Sequence, residues 1–361
     1  MEKIGVFKAI FVAGTLVAAA SADACTGITL QSADGSTVVA RTIEWGGSDL
    51  NSRYAVVPHG YSQQSYVPGA KDGMKFTAKY GYVGLSVEQE EFVAEGINEE
   101  GLSAGLFYFP RYGRYVDYDA KRKDKSIADL QLVSYILGSC ATVEDAEKAV
   151  AAVDIVAIDP RASTVHWRFA DASGRQVVLE IVDGKAHFYE NELGVLTNSP
   201  GFEWQLTNLN NYVNLFPGSA KPQKLGAADL TAFGAGSGFL GMPGDVTPPS
   251  RFVRAAFYQA SAPKLPKAGD AVLQCFQILN NFDIPVGIES LPGEPVADIP
   301  SATQWTSATD IAGRRIYYRT MYDSAIRCID LRSIDFSKVG YRSVPLDAVK
   351  RQPVTMITVA D

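Results

Sequence analysis

Ser21-Ala22-Asp23-Ala24-Cys25-Thr26-Gly27 is the stretch that decides how the chain is read, because an apolar leader ends there and a cysteine follows at once. Met1 to Lys8 carries Lys3 and Lys8, Ala9 to Ala20 is an unbroken apolar run, and Ala22-x-Ala24 fits the small-residue rule for removal of a secretory leader. Cleavage after Ala24 makes Cys25 the first residue of the mature chain. A terminal residue carries a free α-amine of pKa about 7.7 to 8.0, beside a thiol of about 8.5. Amine and thiol on one residue form a complete nucleophile and base pair, so no histidine is needed. Two other fates compete. Cys25 could carry a lipid, although Ala22 stands where an aliphatic residue is usual and Asp23 intervenes. It could also be an ordinary buried thiol or half of a disulfide.

Downstream of Cys25 the pattern is a hairpin: Thr26 to Gln31, a tight turn containing Asp34-Gly35, then Thr37 to Thr42. The returning strand brings Arg41 and Glu44, followed by Trp45, back to the end that carries Cys25. The plainer reading of those two charges is a solvated ion pair at a strand end.

Composition narrows the class. The formal net charge is −7, and Glu2 and Asp23 in the leader cancel Lys3 and Lys8, so the mature chain keeps that charge. No Lys/Arg cluster of the kind that tracks phosphates is present, which argues against a nucleic-acid partner. The Ala9 to Ala20 run is shorter than the roughly 20 residues a membrane span needs, so the mature protein is expected to be soluble and exported, periplasmic or secreted. Four cysteines, Cys25, Cys140, Cys275 and Cys328, make no disulfide scaffold, and the last three read as buried reduced thiols. His59, His166 and His187 lie far apart, giving a zinc centre or a Ser/His/Asp triad little to build on; no metal and no cofactor is expected.

The remaining chain alternates strand clusters with helix pairs. Tyr54 to Pro58, Met74 to Ser86, Val93 to Leu102 with a polar turn, and Ser103 to Phe109 read as strands. Ser126 can cap a helix over Ile127 to Leu137, and Thr142-x-x-Asp145 opens another through Ala152. Ser163 to Ala170, Gln176 to Val182 and Lys185 to Tyr189 are again strands, and Leu196-Thr197-Asn198-Ser199-Pro200 places an amide at a strand tip. Phe202 to Leu215 reads as helix. Gly236-Ser237-Gly238-Phe239-Leu240-Gly241 spells a dinucleotide fingerprint, but Pro243-Gly244 stands where a helix should begin, so it is read as a loop. Ser250 is a cap candidate for a helix to about Ala260, and Arg251 in its first turn opposes the helix dipole, which hints at a specific partner. A helix over Lys267 to Leu279 and strands at Gln304 to Ser307, Arg314 to Tyr322 and Ala325 to Leu331 close the chain. The expectation is one α+β domain, residues 25–361, of two antiparallel sheets face to face with helices outside.

These segments together resemble the choloylglycine hydrolase and penicillin V acylase family of N-terminal nucleophile hydrolases. The resemblance rests on Cys25-Thr26-Gly27, Arg41 to Trp45, Gly96 to Leu102, Leu196 to Pro200 with Asn208 to Tyr212, and Gly241 to Asp245 leading to Ser250-Arg251-Phe252. It implies a four-layer αββα sandwich, a homotetramer, and hydrolysis of a linear non-peptide amide by Cys25 with its own amine as proton acceptor. It further implies that Arg41, Glu44 and Arg251 flank the nucleophile, and that Asn198 and the Tyr108 N–H hold the oxyanion; two arginines so placed would favour a thiolate through charge alone, so a lowered Cys25 pKa is expected. Glu44 stands where the family usually has Asp. Tyr108 stands where bile-salt hydrolases usually carry Asn and many penicillin V acylases Tyr, so its ring would favour an aromatic acyl group; Trp45 and Tyr108 are the candidate substrate-binding residues. Penicillin V acylase-like activity is the leading expectation, with bile-salt hydrolase and N-acyl homoserine lactone acylase as alternatives. An exported lipoprotein binding module without catalysis is the rival from another class.

Overall fold

A computed structural model of the chain describes residues 24–46, 48–158, 164–289, 291–293 and 302–359. The leader, and Ser163 at the start of one expected strand, lie outside the described residues. Thirteen strands build two large antiparallel sheets. The smaller takes β1 (Ala24–Gln31), β2 (Thr37–Trp45), β10 (Ala302–Asp310), β11 (Arg315–Thr320) and β12 (Arg327–Asp330), in that spatial order. The larger contains β3 (Arg53–Val57), β4 (Tyr82–Ser86), β5 (Val93–Asn98), β6 (Ser103–Tyr108), β7 (Val165–Ala170), β8 (Gln176–Val182), β9 (Lys185–Glu190) and β13 (Arg342–Pro345). Its order runs β9-β8-β7-β6-β5-β4-β3-β13.

Helices close both outer faces. α1 (Leu132–Ser139) lies on β4, β5 and β6, and α2 (Val143–Ala151) on β7 and β9. α4 (Pro248–Ser261) and α5 (Ala268–Leu279) cover the smaller sheet, while α3 (Phe202–Asn208) packs against α4. The α5 stripe of Ala271, Val272, Cys275, Phe276 and Leu279 is buried, as the helical period requires of a face laid on a sheet. The arrangement is the four-layer αββα sandwich of the N-terminal nucleophile hydrolases, as its structural relatives below bear out.

Local details correct several expectations. Ser126 starts a three-residue strand, Ser126–Ala128, and the helix begins only at Leu132, because Ser126 pairs with Asp154 in a short parallel ribbon. Met74 to Ser86 splits into Lys75–Thr77 and β4. The helix expected to reach Leu215 ends at Asn208 and tightens into a 3-10 turn over Leu209–Tyr212. Thr247 holds the N-cap position of α4 with Pro248 next, whereas Ser250 sits inside the first turn and bonds to Asp245. Cys328 is exposed, since β12 lies at an open sheet edge; Cys140 and Cys275 are buried as expected. The Thr142–Asp145 capping box forms as read.

Register sets the site. β1 and β2 pair Ala24 with Glu44, Cys25 with Ile43 and Gly27 with Arg41, so the hairpin brings Cys25 and Arg41 to the same sheet face. A Cβ on Gly27 would meet the Phe107 ring of β6 at 3.0 Å, so the bare backbone there lets the two sheets close on each other. A bulge between Thr303 and Trp305 sets Thr303 opposite Glu44.

Candidate active site

Cys25 is buried at 4% exposure between the two sheets. Arg41 reaches it from β2: Nη2 donates to Sγ at 2.8 Å. The guanidinium is fixed by carbonyls, with Nε on Thr42 O at 3.1 Å and Nη1 on Ala94 O at 3.2 Å and on Leu106 O. It also lies 4.1 Å above the Phe107 ring, a favourable place for a desolvated cation. The backbone N–H of Cys25 donates to Asn198 Oδ1 at 2.9 Å. Asn198 Nδ2 donates to Tyr108 O at 2.8 Å, and the Tyr108 N–H donates to the Cys25 sulfur.

Arg251 supplies the partner that its awkward position in α4 hinted at. Nη2 donates to Asn198 Oδ1 at 2.6 Å, Nη1 to Thr26 Oγ1 at 2.8 Å and to the Cys25 carbonyl, and Nε to Val246 O at 2.8 Å. Cys25, Arg41, Tyr108, Asn198 and Arg251 thus converge on one point from β1, β2, β6, the loop after β9 and α4; the strand tip expected at Asn198 is a loop, paired with β1 through the single backbone bridge of Leu196 to Gly27.

Electrostatics departs from the sequence reading twice. Burial pushes the Cys25 thiol up and outweighs Arg41, the Tyr108 N–H and Arg251, which pull it down; Glu44 adds to the rise. The expected net lowering by two arginines is therefore overturned by desolvation. Glu44 forms no solvated pair with Arg41. It is 1% exposed, takes the Thr303 hydroxyl on Oε1 at 3.0 Å, and leaves Oε2 without a hydrogen bond. Burial raises its pKa to about 7, against the pull of Arg251, Thr42, Thr303 and Arg41.

Beside Cys25 lies a pocket of about 120 Å³, walled by Trp45, Leu50, Phe92, Leu106, Tyr108 and Leu130, with Glu44 also in its lining. Gln304 fastens one wall: its amide takes the Leu50 N–H at 3.1 Å and donates to Ser48 O at 3.0 Å and Trp45 O at 3.3 Å. Sequence reasoning missed Gln304 and two buried ion clusters. In one, Arg168 Nη2 bonds Glu95 Oε1 at 2.7 Å, with Glu95 Oε2 3.9 Å from Arg41. In the other, His166 pairs with Glu180 at 3.1 Å. The signal was a charge at a core position of an otherwise apolar strand, as with Glu95 in β5 and Arg168 in β7.

Comparison with known proteins places the fold and the buried cysteine at its centre. The linear amide C–N hydrolases, choloylglycine hydrolase family, match residues 25–341. A bile salt hydrolase/transferase of Clostridium perfringens is 31% identical, over 85% of this chain and 92% of that protein. The crystal structure of a mutant conjugated bile acid hydrolase from the same organism superimposes with a TM-score of 0.79 at 27% identity, covering 92% of this chain and all (100%) of the other. Penicillin V acylase from Agrobacterium tumefaciens superimposes with a TM-score of 0.72 at 26% identity, covering 90% of this chain and 92% of that one. The chain belongs to the choloylglycine hydrolase family and is a hydrolase of linear amides.

Proposed function

We propose that removal of residues 1–24 during export frees the Cys25 α-amine, and that the mature chain, one domain over 25–361, is an N-terminal cysteine amidohydrolase. The observation that carries this reading is the convergence on Cys25 of Arg41, Arg251, Asn198 and the Tyr108 N–H. A thiol held protonated by burial needs a proton acceptor at hand, and its own amine is the nearest base that cleavage would supply. The sulfur bonds to the amide carbonyl carbon as its proton passes to the amine. The Asn198 amide and the Tyr108 N–H take the negative oxygen. The amine then hands the proton to the departing nitrogen as the C–N bond breaks, and water releases the acid and restores the thiol. Arg41 steadies sulfur charge, and Arg251 fixes Asn198 and the backbone of Cys25.

The acyl half enters the apolar pocket, where Trp45, Phe92 and Tyr108 would hold a flat ring. A volume of about 120 Å³ suits a compact group such as phenoxyacetyl, which supports penicillin V acylase-like activity. Bile-salt hydrolysis is the second reading, favoured by the 31% identical relative. Relative kcat/KM for penicillin V, glycine- and taurine-conjugated bile acids and an N-acyl homoserine lactone tests the choice: penicillin V should lead, and a bile-salt preference of tenfold or more would replace the first reading by the second. Finding a diacylglycerol on Cys25 would overturn the catalytic reading altogether.

Assembly is proposed as a homotetramer. Val213, Leu225, Phe233 and Leu240 stand exposed on the segment between α3 and α4, which supports burial against further copies. Light scattering after gel filtration reads the mass.

A further inference from the structure

The buried pair His166–Glu180 touches neither the thiol nor the pocket, yet it brackets the tip of the loop that bears Asn198. His166 is 0% exposed and stacks on Phe109 with ring centroids 4.4 Å apart. Its Nε2 lies 3.1 Å from the Thr197 carbonyl, one residue before Asn198. Its Nδ1 lies 3.1 Å from Glu180 Oε1, and the same oxygen takes the Phe202 N–H at 2.8 Å, four residues after Asn198. Thr197 O is an acceptor, and so is an ionised Glu180. One hydrogen must therefore sit on Nε2 and another between Nδ1 and the carboxyl, or two lone pairs would face each other at a buried site.

We infer that His166, braced by Glu180, is a positioning residue that sets the Asn198 amide for the oxyanion. This rests on the reading of Asn198 given above. Other ties hold the same tip: Gln205 donates to Asn198 O at 3.3 Å, Ser199 to Pro110 O at 2.6 Å, and Thr197 Oγ1 to Pro248 O at 3.2 Å. Those three attach the tip to α3, to the loop after β6 and to α4, whereas His166 attaches it to β7 in the large sheet. β7 pairs with β6, and the register sets His166 opposite Phe107 and Val165 opposite Tyr108, so both oxyanion donors are referred to one rigid pair of strands. Loss of the Nε2 bond leaves a buried carbonyl unpaired and leaves the Asn198 backbone freer to shift, with the amide held by its own Nδ2 bond to Tyr108 O at 2.8 Å, by Arg251 at 2.6 Å and by the Cys25 N–H at 2.9 Å.

Two amides separate the two halves of the imidazole. In His166→Gln the –NH2 reaches where Nε2 stands and keeps the Thr197 bond; in His166→Asn the shorter amide reaches only Glu180. The experiment measures kcat, KM and the rate of Cys25 alkylation by iodoacetamide in mature wild type, H166Q, H166N and N198A, on the best amide of the panel above. The expected result is a 10- to 100-fold loss of kcat in H166N, a loss of fivefold or less in H166Q, and KM and alkylation within twofold of wild type in both, since alkylation forms no oxyanion. Wild-type kcat in H166N, equal losses in the two variants, or alkylation falling in step with kcat would overturn the inference while a slow N198A leaves the proposed function standing. A fully active N198A would instead remove the oxyanion role itself, and the inference with it.

Discussion

At the scale of single residues, the site shows how burial and charge compete. Arg41 sits 2.8 Å from the sulfur, yet the thiol is raised because it has lost its water. A general base is then a requirement of the chemistry. Asn198→Ala should lower kcat by two to three decades, since removing one oxyanion donor costs about 2.7 to 4 kcal/mol of transition-state stabilisation; near-normal turnover in a folded variant would refute its role. Glu44 makes a pH prediction. Its folded pKa of about 7 lies above the ordinary carboxyl value, so the folded chain favours its protonated form. Its contribution to stability is fully present below the ordinary carboxyl pKa and lost as pH rises through 7. Melting temperatures of the full-length chain between pH 5 and 8 should fall more steeply in wild type than in Glu44→Gln; parallel slopes would show that Glu44 is ionised throughout.

Elements divide into those that only hold the sandwich together and those that also aim the site. α2 belongs to the first kind. Its cap, Thr142, exchanges its hydrogen bonds with Asp145 of the same helix, so Thr142→Ala should cost about 1 kcal/mol of stability, read from denaturant unfolding, and leave kcat/KM unchanged. The β1–β2 hairpin belongs to the second. A methyl on Gly27 would press on Phe107, which supports Arg41 from 4.1 Å, so Gly27→Ala should lose about 1 to 3 kcal/mol and activity together. The hairpin was legible because its strand period, its Asp-Gly turn and its charged return all agree. The Ser126 segment was not, since a three-residue parallel ribbon with Asp154 overrides a helical pattern that local spacing alone supports. Glu95 and Arg168 were visible as charges in apolar strands, but they are 73 residues apart, a separation set by sheet order that no local pattern encodes; His166 and Glu180, 14 apart, meet across the β7–β8 hairpin, whose strands were read but whose register was not.

At the scale of the whole molecule, the site is a product of the sandwich. Its five groups come from both sheets and from α4, so no fragment could carry it. The resemblance to a family supplied that assembly before the structure did, because its motifs are spread over nearly the whole chain in order. A prediction belongs here too: a variant that keeps residues ahead of Cys25, such as Ala24→Pro, should fold, hydrolyse no amide and regain nothing on added Arg or imidazole; full amidase activity in uncut material would sink the proposed mechanism.

In the folded full-length chain Ala24 is already a rung of β1, 4% exposed and paired with Glu44. If residues 1–24 are removed as proposed, the protease needs the residues flanking its target bond loose and extended in its own cleft, whereas Ala24 and Cys25 are both paired to β2 once the sheet has zipped. Timing follows from that: the cut has to come while the polypeptide is still threading or freshly emerged. Material that collapses first would be locked out of maturation for as long as it stays native.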